Sequence, residues 1–155
     1  MSNAPLAIRQ KTEAFFRAYL KSRVIASTPS AMDGVDLSLR QEIKTRVFPR
    51  VVIEAARSTP DENMNELYRV TMLVHIGTHS AESDSANRHA LRAGLVAEWL
   101  ADRTAIKSYL ISGANPVQSL SVLDCLLEDE EGEQTGEHWI EILGYLVPAQ
   151  LTGGT

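Results

Sequence analysis

Cysteine is nearly absent from this chain of 155 residues, in which Cys125 stands alone. A single cysteine excludes an internal disulfide framework and a cysteine-rich zinc site. No apolar run approaches the ~18 residues that a membrane helix needs. The N-terminal residues also lack the charged head and long apolar stretch of a secretory signal. The sequence therefore predicts a soluble intracellular protein that does not bind a membrane.

An excess of basic residues is also missing. The chain has 15 Lys and Arg against 20 Asp and Glu, a formal net charge of −5, and a pI near 5.4. This balance argues against a dedicated nucleic-acid-binding protein. With 44% apolar and 23% charged residues, the composition is that of an ordinary globular protein rather than a disordered one. We expect one domain over residues 1–155, with an ordered core of about 5–147 and a mobile tail at 148–155.

The two halves of the chain differ in charge. Residues 1–57 carry ten basic and five acidic side chains, whereas residues 67–155 carry five basic and twelve acidic ones. The local net charges are therefore +5 and −7. One interpretation is a solvated acidic loop beside an unrelated basic helix. The other is a subunit with a positive and a negative face, which favours head-to-tail association.

The first half of the chain predicts one helix and two strands. Residues 5–24 predict a helix because their apolar residues fall on one stripe. A breaking segment follows at Ser27–Asp36, and a helical turn is expected around Leu39–Thr45. Residues 48–56 and 67–79 predict strands, the second from the strict apolar–polar alternation between Tyr68 and Ile76. We expect these strands to form an antiparallel hairpin with a long polar loop, Ser58–Glu66. The helical stripe consists of Ile8, Phe15, Tyr19 and Leu20.

The second half predicts a helix and another hairpin. The helix is expected over 87–102, and a short helical piece follows at 105–111. The expected apolar side of the longer helix consists of Leu91, Leu95, Val96, Trp99 and Leu100. Strands over 117–128 and 138–147 are joined by an acidic loop at 129–137. The fold class is therefore predicted as α+β: helices pack on a mostly antiparallel sheet of about four strands, in the order α-β-β-α-β-β.

The sequence offers little for catalysis. His75 and His79 are four residues apart, but on a strand this spacing corresponds to ~13 Å, too far for two ligands of one metal. We expect the histidines on the strand and on the helix to face solvent. Cys125 lies in an apolar stretch and is expected to be a buried small hydrophobe rather than a nucleophile. Phosphate-binding, dinucleotide-binding and serine-nucleophile motifs are absent. We therefore predict no catalytic residue, no metal and no cofactor, and a protein that is not an enzyme.

The order of elements resembles a known family. The order begins with an amphipathic helix, followed by a strand that opens at Val47–Ile53 and the alternating strand Tyr68–Ile76. The helix Asn87–Leu100 and a hairpin with an acidic loop complete it. This pattern resembles the small tail-terminator and tail-completion proteins of tailed bacteriophages. The resemblance implies one α+β subunit that assembles into a ring, commonly a hexamer, which caps the finished tail tube and docks it to the head connector.

The resemblance also implies the partners and the location of the chain. The partners would be further copies of itself, the tail tube protein, and the head–tail connector or neck protein. The protein would lie in the virion, at the head-proximal end of the tail, and in the host cytoplasm during assembly. A closed ring needs one patch that complements a different patch. The candidate interface pairs Arg40, Lys44, Arg46 and Arg50 of one subunit with Glu128, Asp129, Glu130 and Glu131 of the next.

Other functions remain open at this point. A head-completion or neck protein would also be a small ring subunit. A non-enzymatic adaptor domain of a bacterial complex would need an exposed docking groove but no ring. A small enzyme would instead need a deep pocket with convergent polar groups.

Overall fold

A computed structural model describes residues 4–40, 48–64 and 66–152 of the chain. Three α-helices, one 3₁₀ turn (Ser30–Met32) and six strands occur in these ranges. The helices are α1 (Ala4–Ser27), α2 (Ser85–Ala101) and α3 (Arg103–Leu110). The strands are β1 (Asp36–Leu39), β2 (Arg50–Pro60), β3 (Leu67–His79), β4 (Leu120–Val122), β5 (Leu126–Thr135) and β6 (His138–Leu151).

The strands form one open, mostly antiparallel sheet. Its order is β1-β2-β3-β6, and β6 then pairs with β5 along most of its length and with β4 near its C-terminal end. Only β1 runs parallel to its neighbour, β2, among the described strands. The α+β class and the mostly antiparallel sheet are confirmed. The predicted number of about four strands is wrong, because β1 was not expected and the stretch 117–128 contributes to two separate strands.

Two local predictions are also wrong. The segment 129–137 was expected to be a loop, but β5 continues through it to Thr135. The last strand was expected to end at residue 147, but β6 continues to Leu151. Pro148 lies between the segments of β6 that pair with β5 and β4, and its carbonyl accepts a hydrogen bond from the Leu123 N–H (2.9 Å). A missing proline N–H therefore does not end this strand.

The residues around the first break also differ from expectation. Leu39 lies in β1 instead of a helical turn, and residues 41–47 lie outside the described ranges. The helix expected over 5–24 is confirmed as Ala4–Ser27. The two strands of the first hairpin are confirmed too, although β2 runs to Pro60 and so shortens the connecting loop.

The hydrophobic core lies between the helices and one face of the sheet. The alternation of β3 is confirmed, since Val70, Met72, Val74 and Ile76 are fully buried. The α1 stripe predicted from the sequence packs against this face. Burial of these apolar side chains is the main favourable contribution to the stability of the fold. The buried stripe of α1 includes Ile8, Phe15, Phe16, Tyr19 and Leu20.

The opposite face of the sheet, here called the outer face, is defined by the register of the strands. In one row across it, Val52 of β2 is opposite His75, which is opposite Ile142, which is opposite Glu131 of β5. Apolar residues of β6 thus point to both faces of the sheet. Such a pattern is typical of a strand that is covered on both sides. On the outer face, however, Ile140 and Ile142 are only half-buried.

A buried carboxylate joins α1 to the sheet. Glu13 is 7% exposed, and its Oε2 accepts a hydrogen bond from the Ala55 N–H at 2.7 Å. The register of β2 shifts just beyond Ala55, where an extra residue interrupts the ladder. Burial raises the pKa of Glu13 above its ordinary value, and the nearby charge of Glu54 adds to the increase. Glu13 therefore acts as the acceptor for a buried backbone N–H beside this bulge.

Two substitutions separate the hydrogen bond of Glu13 from its charge. Glu13→Ala leaves the Ala55 N–H without its acceptor, and we expect the free energy of unfolding to fall by about 1–3 kcal/mol. Glu13→Gln keeps an acceptor oxygen and removes the charge, so a much smaller loss is expected. A raised pKa in the folded state stabilises the wild type below pH 4.5 and loses this effect as the pH rises through the folded pKa. The difference in unfolding free energy between Glu13→Gln and wild type, measured by urea unfolding, should therefore shift in favour of the variant as the pH rises from 4.5 to neutral. An equal loss for both variants would contradict the assigned role.

A buried arginine joins α2 to the rest of the molecule. Arg92 is 1% exposed, and its guanidinium donates to both carboxylate oxygens of Glu82 (3.1 and 2.7 Å), to Thr78 Oγ1 (3.1 Å) and to the Ala31 carbonyl (2.8 Å). His89 Nδ1 lies 2.9 Å from the same Thr78 hydroxyl. The 3₁₀ turn, the end of β3 and the loop before α2 are thereby held together by charged hydrogen bonds.

The predicted apolar side of α2 is confirmed at Val96, Trp99 and Leu100, which are buried, but not at Leu91. Leu91 is 50% exposed, whereas His89 and Arg92 are buried. The expectation that the helical histidine faces solvent is therefore wrong. Hydropathy places a cationic residue outside the core unless it has partners, and here the partners come from distant segments.

Candidate subunit interface

The acidic segment forms an edge of the sheet. All ten residues of β5 are exposed, and within the described part of the chain this strand pairs with β6 alone. Asp129, Glu131 and Glu133 lie in register with residues of the outer face of β6, and Glu130 lies between them on the other face. Glu128 lies where the register shifts, between Leu127 and Asp129. The four predicted acidic residues are thus brought together on one edge strand.

The neighbouring apolar strand explains why an acidic sequence becomes a strand here. A two-residue turn joins Thr135 to His138, and Gly136 takes a positive φ of 55°, which suits a tight hairpin turn. Once the turn is formed, β6 supplies a ladder of backbone partners along the acidic segment. The strand conformation thus comes from pairing rather than from the propensity of its own residues.

Electrostatic repulsion between carboxylates remains on the acidic strand even though it pairs with β6. The Glu141 carboxyl of β6 is close to Glu130, and burial, the charge of Glu130 and a hydrogen bond between the two carboxyls raise the pKa of Glu141. A cation brought to this strand would relieve the repulsion. The electrostatics of β5 therefore favour a basic partner and oppose a second acidic strand.

The basic candidates lie at the other end of the sheet. Arg40 follows β1 directly and is exposed. Arg50 begins β2, opposite Asp36, and its guanidinium carbon lies 4.4 Å from the centre of the Phe48 ring. Burial lowers the pKa of Arg50, and so does the nearby positive charge of Arg40, while Asp36 acts in the opposite direction. The predicted candidates Lys44 and Arg46 lie outside the described residues.

The sheet order separates the two charged groups. Three strands (β2, β3 and β6) lie between β1 and β5, which corresponds to ~19 Å across four strand spacings. At this distance, Arg40 cannot reach Glu128–Glu131 of its own chain. Among the described residues, the acidic strand β5 therefore lies at one edge of the sheet, and Arg40, together with the exposed Asp36, lies at the other. The sequence shows that the basic and the acidic candidates lie in different segments, but their distance from each other across the sheet is set by the fold.

A groove on the outer face adjoins the acidic edge. Its volume is about 320 Å³. Ile140 and Ile142 of β6 form its apolar part, while Glu131 and Glu133 of β5 lie directly opposite them in register. An apolar floor beside two carboxylates suits a side chain with an aliphatic stem and a cationic end. Hydropathy patterns could not have found this groove, because its two halves come from a strand that was expected to be a loop and from its neighbour.

The other candidate groups have structural partners. His75 Nε2 lies 3.1 Å from Glu54 Oε1 on the outer face, and His79 Nδ1 accepts a hydrogen bond from the Ala81 N–H at 3.0 Å. Both histidines lie on β3, as expected from the sequence. In the three described ranges, no cluster of three or more histidine, cysteine or acidic residues could hold a metal ion.

Cys125 is buried, as the sequence predicts, but it lies between β4 and β5 rather than within a strand. Burial raises the pKa of its thiol to about 12, with a further contribution from the adjacent Asp124. A thiol with so high a pKa is protonated at neutral pH and is a poor nucleophile.

Comparison with known proteins adds no assignment: neither family models nor curated proteins match this chain. Among the described residues, none of the helices combines the length and the apolar character needed to span a bilayer.

Proposed function

We propose that the chain is a structural subunit of a bacteriophage tail, a tail terminator that assembles head to tail into a ring. The ring, a hexamer in this proposal, caps the tail tube and docks it to the head connector or neck protein. The protein would act in the virion, at the head-proximal end of the tail, after assembly in the host cytoplasm. It contributes binding surfaces rather than catalysis.

One observation carries this proposal: a single open sheet has the exposed Arg40 at the end of one edge strand and an exposed acidic strand at the other edge. Two different, complementary patches on one subunit give a heterologous contact, and a heterologous contact closes into a ring when the rotation between subunits permits it. The acidic strand opposes pairing with its own copy, which disfavours a two-fold dimer through this edge. Thus the geometry favours head-to-tail assembly over isologous pairing.

We expect the purified chain to form a closed species of about six subunits of 17.1 kDa. Light scattering over a wide concentration series gives the absolute mass, and electron microscopy shows whether the particle is a ring. Because the contact is electrostatic, high salt should shift the equilibrium toward monomer. Simultaneous charge reversal at Glu128, Asp129, Glu130 and Glu131 to lysine should abolish the ring while leaving the circular dichroism spectrum unchanged. Rings that persist after this reversal would show that the acidic edge is not the contact.

The role in the tail needs a separate test. If the phage that encodes the chain loses the gene, we expect tail tubes of irregular length, because nothing caps the growing end. Tails of normal length that fail to join heads would instead favour a head-completion or neck protein. Normal virions would contradict both structural roles and favour an adaptor outside the particle.

A further inference from the structure

We infer that the groove formed by Ile140, Ile142, Glu131 and Glu133 is a docking site for Arg40 of a second copy of this chain. This inference rests on the proposed head-to-tail assembly and names its central contact. The occupant is an arginine at the basic edge of the next subunit. The contact would join the outer face of one sheet, at its acidic edge, to the end of β1 of another.

The chemistry of the groove matches an arginine side chain. The two isoleucines are half-buried and offer an apolar surface for the aliphatic stem. Glu131 and Glu133 project from the same face of β5, two residues apart, so their carboxylates can flank one planar guanidinium and accept its hydrogen bonds. The volume of about 320 Å³ leaves space for such an occupant.

Of the two basic interface candidates that the structure describes, Arg40 is better suited than Arg50 to occupy the groove. Arg50 already stacks on the Phe48 ring at 4.4 Å and is half-buried. Arg40 is exposed at the end of β1, on the edge opposite the groove. Two strands, β2 and β3, lie between β1 and the groove of the same chain, which β6 and β5 form. A second copy can supply the arginine, because both members of the charge pair are present in each chain.

The β6 pattern also indicates that something covers this surface. Along β6, Leu143, Tyr145 and Val147 face the core, while Ile140 and Ile142 face outward. None of the described helices packs on the outer face at these residues, since α1, α2 and α3 all contribute to the core on the other side of the sheet. A neighbouring subunit whose arginine stem lies across the isoleucines would complete their burial.

The inference is tested with two charge-reversed variants that are complementary to each other. The first is Arg40→Glu. The second is Glu131→Arg combined with Glu133→Arg. Each variant alone places like charges at the contact, and we expect at least about a 10-fold weaker self-association, measured by sedimentation velocity at low salt. An equimolar mixture restores an attractive contact at every junction, so it should assemble into a closed ring of alternating subunits.

The control is Glu62→Arg combined with Glu98→Arg, which makes the same change in net charge at two exposed positions away from the groove. This control should assemble as the wild type does. A second pair of variants, Ile140→Ser and Ile142→Ser, tests the apolar floor without changing charge and should also weaken assembly.

The results separate this contact from the proposed function. Recovery in the mixture, with neither variant assembling alone, supports the contact. If both variants assemble as well as wild type, or if the mixture fails to recover, the contact is wrong, although a ring formed through other residues would leave the terminator role in place. A wild-type chain that stays monomeric up to millimolar concentration also overturns this contact, whereas the terminator role depends on the tube-length experiment. A dimer through the groove would overturn the ring geometry.

Discussion

Substitution of Phe15 by alanine is expected to lower the free energy of unfolding by about 3–5 kcal/mol. Phe15 is fully buried in the middle of α1. Its ring centre lies 5.1 Å from that of Phe16 in an edge-on arrangement and 5.8 Å from that of Tyr109 in α3. The substitution removes these contacts and leaves a cavity where α1, α3 and the sheet meet, which the surrounding backbone can only partly fill.

A matched control lies on the same helix. Leu6→Ala removes an apolar side chain that is 45% exposed, so its cost should stay below ~1 kcal/mol. Phe15→Leu fills most of the space and should lose less than Phe15→Ala. Urea unfolding followed by circular dichroism measures all three. Equal losses for Phe15→Ala and Leu6→Ala would show that the aromatic cluster does not contribute to the core in the way described.

The second large effect is expected at Arg92. Substitution by methionine keeps an unbranched side chain of similar length but removes the donors to Glu82, Thr78 and the Ala31 carbonyl. Removing one partner of a buried ion pair typically costs 3–5 kcal/mol. Because Glu82 remains 22% exposed and can recover some hydration, we expect a loss of about 2–4 kcal/mol.

Arg88 provides the matched control for Arg92. It donates to the same Glu82 carboxylate at 2.8 Å, but its side chain is 32% exposed. We expect Arg88→Met to cost under ~1 kcal/mol. If the two methionine variants lose the same amount of stability, burial is not what makes Arg92 important.

The arginine network also predicts how stability depends on pH. Burial alone would raise the pKa of Glu82, but the hydrogen bonds and charges of Arg92 and Arg88 outweigh it and lower the pKa below 4.5. The group thus contributes stability that is complete above pH 4.5 and is lost as the pH falls through the folded pKa. In Arg92→Met this acid-dependent loss should be smaller, because the folded pKa lies closer to that of the unfolded chain. An unchanged pH profile in the variant would contradict the coupling.

Local patterns predicted the helices and strands in which apolar residues recur at a regular spacing. The alternation of Val70, Met72 and Val74 predicted β3 because a half-buried strand exposes every second side chain. The stripe on α1 predicted its buried side for the corresponding reason. The short strand β1 gave little signal, since its four residues are stabilised by parallel pairing with β2 rather than by their own propensity.

The candidate interface, too, could be predicted from the sequence only in part. Counting charges identified Arg40 and Arg50, and likewise Glu128–Glu131, as groups of opposite sign. It did not reveal that β5 is a strand, because ten exposed residues with many acids resemble a solvated loop. Nor did it reveal the groove, whose isoleucines and glutamates become neighbours only when β5 and β6 pair.

Sequence patterns were sufficient to predict the class of the fold, the α1 helix, the first hairpin and the existence of two oppositely charged segments. These features follow from periodicity and composition, which act over a few neighbouring residues. Three features became visible only in the folded chain: the burial of Arg92, the strand conformation of the acidic segment, and the location of Arg40 and that segment at opposite edges of the sheet. The arginine depends on Ala31, which is distant in sequence, and on Glu82 in the loop before α2. The acidic strand depends on pairing with β6 across a two-residue turn. The free energy of a buried charge or an edge strand is set by what surrounds it, and no local pattern encodes those surroundings.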